Sequence, residues 1–125
     1  GFDLSQPVTD LSQEVVVDLL APEGAAHVFV EITSDNAEFS GVIAEMFPQN
    51  PFDLAEPGEA EKSLKDLGLP IKDEVIGQQK VIFDVTQFVG LLGGFPGVHQ
   101  FKLTVEDVNG EKAEATLTID SSNAQ

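Results

Sequence analysis

Hydrophobic and polar residues alternate through the C-terminal part of the chain. Between residues 101 and 106 every second residue is apolar, and the same period resumes between residues 113 and 119. This is the period of a strand with one buried face. The two runs flank Asn109-Gly110, a pair of residues that tolerates the positive φ angles of a tight turn. The pattern therefore predicts an antiparallel hairpin. Its predicted inward residues are Phe101, Leu103, Val105, Ala113, Ala115, Leu117 and Ile119.

Three further runs alternate in the same way and predict strands, in residues 14–21 (EVVVDLLA), 27–33 (HVFVEIT) and 80–85 (KVIFDV). The pattern leaves open whether the first two pair with each other or face each other across a sandwich. Residues 2–12, interrupted by Pro7, predict a short edge strand. The predicted inward residues of the three runs are Val15, Val17, Leu19, Val28, Val30, Ile32, Val81, Phe83 and Val85.

The period changes to that of a helix in residues 35–46, where Phe39, Val42, Ile43 and Met46 fall on one face. Asp35 is the predicted N-cap, with Glu38 completing a capping box; a strand is the alternative for this segment.

Residues 48–57 are predicted as a loop and residues 58–67 as a helix that Gly68 and Pro70 terminate. Thr86 is predicted to cap a helical turn that carries Phe88, Leu91 and Leu92.

The order of these elements favours a mainly β fold in a single domain spanning residues 1–125. We expect an immunoglobulin-like two-sheet β-sandwich with short helices inserted between mid-domain strands and a C-terminal hairpin. The ordered core is expected over residues 3–120, followed by a polar tail at 121–125. An α+β fold with its helices on one sheet is the alternative. The chain has no Tyr, Trp or Cys, so it lacks the antibody-domain signature.

The charge balance excludes whole classes of partner. There are 22 acidic residues against 6 basic ones, for a formal net charge of −16. Nucleic acids and anionic membranes are bound by clustered Lys and Arg, so neither is expected as a partner. No apolar run has the roughly 20 residues of a membrane span, so no membrane insertion of this domain is expected. The start at Gly1 is typical of a trimmed polypeptide, which leaves room for an upstream signal or lipid anchor.

Several strand and turn phrases resemble those of a known group of domains. They are residues 21–24 (APEG), 30–34 (VEITS), 67–70 (LGLP), 83–86 (FDVT), 97–101 (GVHQF) and 107–110 (DVNG). The chain from about residue 11 to 119 is similar to uncharacterised immunoglobulin-like domains in cell-surface lipoproteins of Bacteroidetes. The resemblance implies an exported protein, extracellular, cell-surface or periplasmic, and it carries no functional residues to transfer.

Histidines and carboxylates are the candidates for metal ligands. His27 and His99 are 72 positions apart without a ligand-spaced motif, so we interpret both as surface residues rather than a zinc site. Residues 107–111 offer oxygen ligands and a glycine, but a calcium loop spreads its ligands over about 12 residues, so we interpret them as a turn. Asp35, Asn36 and Glu38 are likewise interpreted as helix-capping residues.

No nucleophile elbow, P-loop or dinucleotide fingerprint occurs in the sequence. Sugar platforms usually use Trp or Tyr, which leaves Phe29 and Phe95 as candidates for exposed rings; packing of a helix over Phe29 is the favoured explanation for its outward position.

We therefore expect a non-catalytic surface module that acts in protein interaction, display or spacing, through a strand edge or an acidic face. The partner is expected to be an unknown protein or a glycan. An accessory glycan- or calcium-binding module is the alternative, and a small hydrolase with a carboxylate pair ranks third. No catalytic, cofactor-binding or metal-binding residue is assigned, and no cofactor is expected.

Overall fold

The computed structural model describes residues 4–123, and within them the fold is mainly β. One antiparallel sheet has two strands in the order β1-β4, and the other has four in the order β3-β2-β5-β6. The strands are β1 (Val16–Leu20), β2 (Ala25–Ser34), β3 (Phe52–Asp53), β4 (Lys80–Asp84), β5 (Val98–Asp107) and β6 (Lys112–Asp120). The five alternating runs predicted from the sequence are thus confirmed as strands. β1 and β2 do not pair: β1 pairs with β4, and β2 with β5.

Short helices lie mainly in the connection from β2 to β4. The helices are α1 (Ala37–Met46), α2 (Glu61–Asp66), α3 (Lys72–Val75) and α4 (Thr86–Leu91), with 3₁₀ turns at Gly58–Ala60 and Leu92–Gly94. The predicted stop of α2 is confirmed, because Gly68 has a φ of 82° and the Leu69 N–H donates to the Leu64 carbonyl at 3.0 Å. The two-residue β3 and the helix α3 were not predicted.

The N-cap of α1 corrects the sequence prediction. The Asn36 side chain, and not Asp35, accepts the hydrogen bond of the Phe39 N–H, at 2.9 Å. The Asp35 carboxylate instead accepts the Val98 N–H at 2.9 Å, which ties the start of α1 to the start of β5. Both residue types cap helices well, so composition could not choose between neighbours.

The hairpin of β5 and β6 is confirmed, but its turn differs from the prediction. Gly110 has a φ of 84°, whereas no residue other than glycine has a positive φ in the described chain, so Asn109 does not. Asp107 and Glu111 hydrogen-bond across a three-residue loop, with the Asp107 N–H donating to the Glu111 carbonyl at 2.8 Å. Such loops place glycine last, in the left-handed region.

The predicted N-terminal edge strand is reduced to one bridge. Val8 pairs in parallel with Ile119 of β6, through hydrogen bonds of 2.9 and 2.8 Å to the neighbouring Thr118 and Asp120. Phe2 lies outside the described residues.

The inward faces of both sheets belong to one hydrophobic core, which the helices complete. The inward residues predicted for β1, β2, β4 and β5 are all buried. In β6 Leu117 and Ile119 are buried, while Ala113 and Ala115 are half-buried. Phe88 from α4 packs edge-on against Phe101 from β5, with ring centroids 4.7 Å apart. The buried surface of each helix therefore faces the same core as the strands.

Candidate functional site: the outer edge of strand β4

The hydrogen bonds between β1 and β4 show which backbone groups of β4 are used inside the molecule. The Ala21 N–H donates to the Gln79 carbonyl at 2.8 Å, and the Val85 N–H donates to the Val15 carbonyl at 3.0 Å. Both pairs fit the register of the ladder, which has no bulge. Hydrogen-bonded pairs alternate along an antiparallel ladder, so the odd-numbered residues of β4 face β1.

The even-numbered residues Lys80, Ile82 and Asp84 therefore direct their N–H and C=O groups away from β1. No second strand pairs with β4 in the part of the chain that the structure describes. The side chains of these three residues lie on one face of the sheet, because side-chain direction alternates along a strand. All three are exposed. β4 thus presents an unpaired edge and a row of exposed side chains together.

The outer face of the two-stranded sheet also carries exposed apolar side chains. Leu20 is 61% exposed and Ile82 is 50% exposed. Ile82 lies opposite Asp18, and Leu20 lies opposite Lys80, so the two apolar residues are diagonal neighbours. The two side chains thus form a small exposed apolar patch on this sheet.

A groove of about 550 Å³ lies along this edge. It is lined by Lys65, Gly68, Leu69, Pro70, Glu74, Gln78, Lys80, Ile82 and Asp84. Its volume lies in the range of ligand pockets in general. The groove is narrow at its Asp84 end, where Gly68 lies beside the backbone of β4. A Cβ on Gly68 would lie 3.5 Å from the Asp84 carbonyl oxygen.

The charged residues of the edge are available for an external partner. Neither Lys80 nor Asp84 belongs to any of the ion pairs found within residues 4–123. The Asp84 carboxylate accepts the Thr86 N–H at 3.1 Å, which fixes its position at the start of α4. Sequence reasoning missed this edge, although an apolar Ile82 between two charged outward residues was a signal for it.

A second groove, of about 560 Å³, lies between the end of α1 and the 3₁₀ turn that precedes α2. Its charged lining residues are all acidic: Glu45, Asp53, Glu56 and Glu59. Met46 contributes a side chain that is 37% exposed. This groove would attract cationic groups.

His27 lies beside that groove on the outer face of β2, where Asp53 binds it. The Nδ1–H donates to the Asp53 carboxylate at 2.8 Å, and this hydrogen bond raises the pKa of His27 above its ordinary value. The same carboxylate accepts the backbone N–H groups of Val28 at 3.1 Å and Ala55 at 2.8 Å. Asp53 therefore fixes β3 against β2, and His27 is 43% exposed at the rim of this arrangement.

The interpretation of His99 as a surface residue was wrong. His99 is fully buried, and Nε2 lies 2.9 Å from the Phe95 carbonyl oxygen and 3.0 Å from the Ser121 hydroxyl. A carbonyl oxygen can only accept, so Nε2 carries a proton, and the Ser34 hydroxyl lies 2.7 Å from Nδ1. The ring joins β2, β5 and residue 121, which the sequence placed in the polar tail. Both ring nitrogens of His99 thus have hydrogen-bond partners.

The two histidines lie at opposite ends of the β2–β5 ladder, because His27 pairs with Glu106 and His99 pairs with Ser34. They cannot bind the same ion. Within residues 4–123 no group of three or more His, Asp or Glu side chains is arranged to hold a metal.

Residues 107–111 form the turn, as predicted. The Asp107 carboxylate is buried and accepts the N–H groups of Asn109 at 2.8 Å and Glu111 at 2.9 Å. Its oxygens thus hold the backbone of the loop.

The two phenylalanines considered for sugar binding are half-buried. Phe29 stacks on His27 with ring centroids 5.9 Å apart, so its described ring partner is a histidine and not a helix. Phe95 packs on Phe39 at 5.0 Å.

No helix among the described residues is long and apolar enough to cross a membrane. No protein-family model, no curated protein and no solved structure matches the chain.

Proposed function

We propose that this chain is an immunoglobulin-like β-sandwich module that binds another protein through the outer edge and face of its two-stranded sheet. The module is exported and displayed outside the cytoplasm, as the resemblance of its turn and strand phrases to surface lipoprotein domains suggests. It acts without catalysis, in protein interaction, display or spacing.

The strand pairing supports the immunoglobulin-like part of the proposal. In that fold the second and fifth strands, B and E, share one sheet, and strands C, F and G form the other, which a strand C′ can extend. The pairing of β1 with β4 corresponds to B and E, and the order β3-β2-β5-β6 corresponds to C′, C, F and G. The segment containing α2 and α3 then occupies the place of strand D.

The observation that carries the binding proposal is the coincidence of two features on β4. Its outward backbone groups have no strand partner among residues 4–123, and the exposed Ile82 and Leu20 lie on the same small sheet. Addition of a strand supplies main-chain hydrogen bonds, and the alternate side chains supply specificity. A protein partner uses both features at once, whereas a small ligand uses neither fully.

The test compares two variants that each add one negative charge to an exposed strand position. Ile82→Glu alters the proposed surface, and Gln100→Glu alters the outer face of the other sheet. The wild type and each variant are immobilised in turn, and binding is measured with fractionated extracellular proteins and with the chain itself as analytes. Saturable binding of a protein that Ile82→Glu abolishes and Gln100→Glu retains supports the proposal.

The alternative of a glycan or calcium module gives the opposite pattern. A melting temperature that rises with millimolar CaCl₂ or with one glycan, together with protein binding that Ile82→Glu leaves unchanged, overturns the proposal. Such a shift reports a ligand that binds only the folded state.

A further inference from the structure

We propose that the Asn109-Gly110 pair is a site of spontaneous isoaspartate formation, and that Asp107 limits the rate of this modification by holding the hairpin loop closed. The pair lies in the loop between β5 and β6, and both residues are exposed to water. This site is separate from the proposed binding surface, because the hairpin belongs to the four-stranded sheet and not to the sheet of β4.

The chemistry needs only the two residues and water. The Gly110 backbone nitrogen loses its proton and attacks Cγ of the Asn109 side chain. The new C–N bond closes a five-membered succinimide ring, and the side-chain amide group takes up a proton and leaves as ammonia. Water then opens the ring at either carbonyl, which gives an aspartate or an isoaspartate. Glycine favours the attack, because no Cβ shields its nitrogen.

The folded loop holds the pair in the wrong geometry for this reaction. The Gly110 N–H donates to the Asp107 carbonyl at 3.0 Å, and Asn109 does not have a positive φ, so residues 107–110 form a type I turn. The third residue of such a turn has a ψ of about 0°. This ψ turns the Gly110 nitrogen away from the Asn109 Cβ, whereas ring closure needs the two to be eclipsed. The loop must therefore open before the pair can react.

Asp107 holds the loop closed with one oxygen of its buried side chain. Its Oδ1 accepts the N–H of Asn109 at 2.8 Å and the N–H of Glu111 at 2.9 Å. The Val108 N–H donates to the Gly24 carbonyl at 3.2 Å, so every N–H of residues 107–111 is hydrogen-bonded. Bonds to a charged acceptor are stronger than bonds between neutral groups, so removing the carboxylate should raise the open fraction of the loop.

Mass spectrometry with peptide mapping tests the site during incubation of the folded chain in mildly alkaline buffer, and enzymatic methylation detects isoaspartate. Asn109 should convert between about fivefold and about a hundredfold more slowly than in the same chain unfolded in urea. Two asparagines are internal controls and should stay unchanged in the folded chain. The Asn36 side chain caps α1, and Asn50 precedes Pro51, whose nitrogen has no proton to lose.

Variants of Asp107 test its part in the rate. Asp107→Ala should convert at Asn109 at least about threefold faster than the folded wild type. Asp107→Asn keeps an oxygen that can accept both N–H groups, so its rate should stay within about twofold of the wild type. A readout of stability alone would not report this rescue, and circular dichroism confirms the fold of each variant.

Gly97→Ala is the matched control for a general loss of stability. Its Cβ would overlap the Asp35 carboxylate beside the start of β5, far along the strand from the loop at its end. It should therefore leave the rate at Asn109 unchanged.

A folded wild type that converts as fast as the unfolded chain overturns the inference, and so does one in which Asn109 does not convert within the stated range. Asp107→Ala that reacts no faster than the wild type also overturns it. Equal acceleration by Gly97→Ala assigns the reaction to global unfolding and has the same consequence. The comparison of folded with unfolded wild type needs no variant, so it decides the question even where Asp107→Ala does not fold.

Discussion

Replacing His99 tests whether a buried histidine with partners on both ring nitrogens holds one end of the large sheet together. His99→Phe keeps a ring of similar size against Phe39, whose centroid lies 5.1 Å from that of the histidine. It removes the bond from Nε2 to the Phe95 carbonyl and the bond that Nδ1 accepts from Ser34. The Phe95 carbonyl keeps a donor, because the Ser121 hydroxyl lies 3.0 Å away.

The magnitude follows from these contacts. Two hydrogen bonds at about 0.5–1.5 kcal/mol each predict that His99→Phe lowers the free energy of unfolding by about 2 kcal/mol. His99→Ala also removes the ring from a fully buried site, and truncation of a buried aromatic ring costs about 3–5 kcal/mol. The alanine variant should therefore be the less stable of the two.

A double-mutant cycle with Ser34→Ala isolates the bond between the two side chains. The free energy of unfolding is measured by urea denaturation near pH 7.5, above the ordinary titration range of histidine. Ser34→Ala alone leaves the buried Nδ1 of His99 without a donor, whereas in the His99→Phe background that atom is gone. The cycle should therefore give a coupling of about 1 kcal/mol.

The reasoning fails if His99→Phe is as stable as the wild type, or if Ser34→Ala costs the same in both backgrounds. Either result would mean that His99 contributes by filling volume and that its tautomer and hydrogen bonds add nothing.

Two further predictions concern the ends of β2. Asp53 raises the pKa of His27, so their pairing stabilises the fold below the ordinary pKa of histidine and loses this effect as the pH rises through the raised value. Urea denaturation between about pH 6 and pH 8 should show a contribution of no more than about 1 kcal/mol, because the pair is partly exposed. The variant His27→Gln should lack this pH-dependent contribution. Gly97→Ala should lower the free energy of unfolding by about 2–3 kcal/mol, because the residue has a φ of 149° and a Cβ there would overlap the Asp35 carboxylate. The matched variant Gly94→Ala, which meets nothing within 4 Å, should cost less than about 1 kcal/mol, and equal losses for the two variants would contradict the steric argument.

The strands were predictable because their chemistry is local. Alternation with period two identified β1, β2, β4 and the hairpin, and Gly68 with Leu69 identified the end of α2. In each case the side chains or the φ preference of adjacent residues determine the structure. The two-residue β3 and the four-residue α3 are too short for any period to show.

Properties that depend on partners distant in sequence were not predictable. His99 follows a loop and precedes alternating residues, which suits a surface position as well as a buried one. Its burial depends on Ser34, 65 positions away, and Ser121, 22 positions away. The choice between Asp35 and Asn36 as N-cap was likewise decided by Val98, whose N–H binds the Asp35 carboxylate.

The β4 edge lies between these two cases. Sequence alone shows that Ile82 breaks the expectation of polar residues on an outward face, and that Lys80 and Asp84 lie two positions to either side. It cannot show which edge of the strand is free, because that depends on the pairing with β1. Once one hydrogen bond of that ladder is known, the period of two determines the direction of every other group in the strand. The unpaired edge and the exposed Ile82 therefore coincide only because β4 pairs with β1, and no pattern in the sequence shows that pairing.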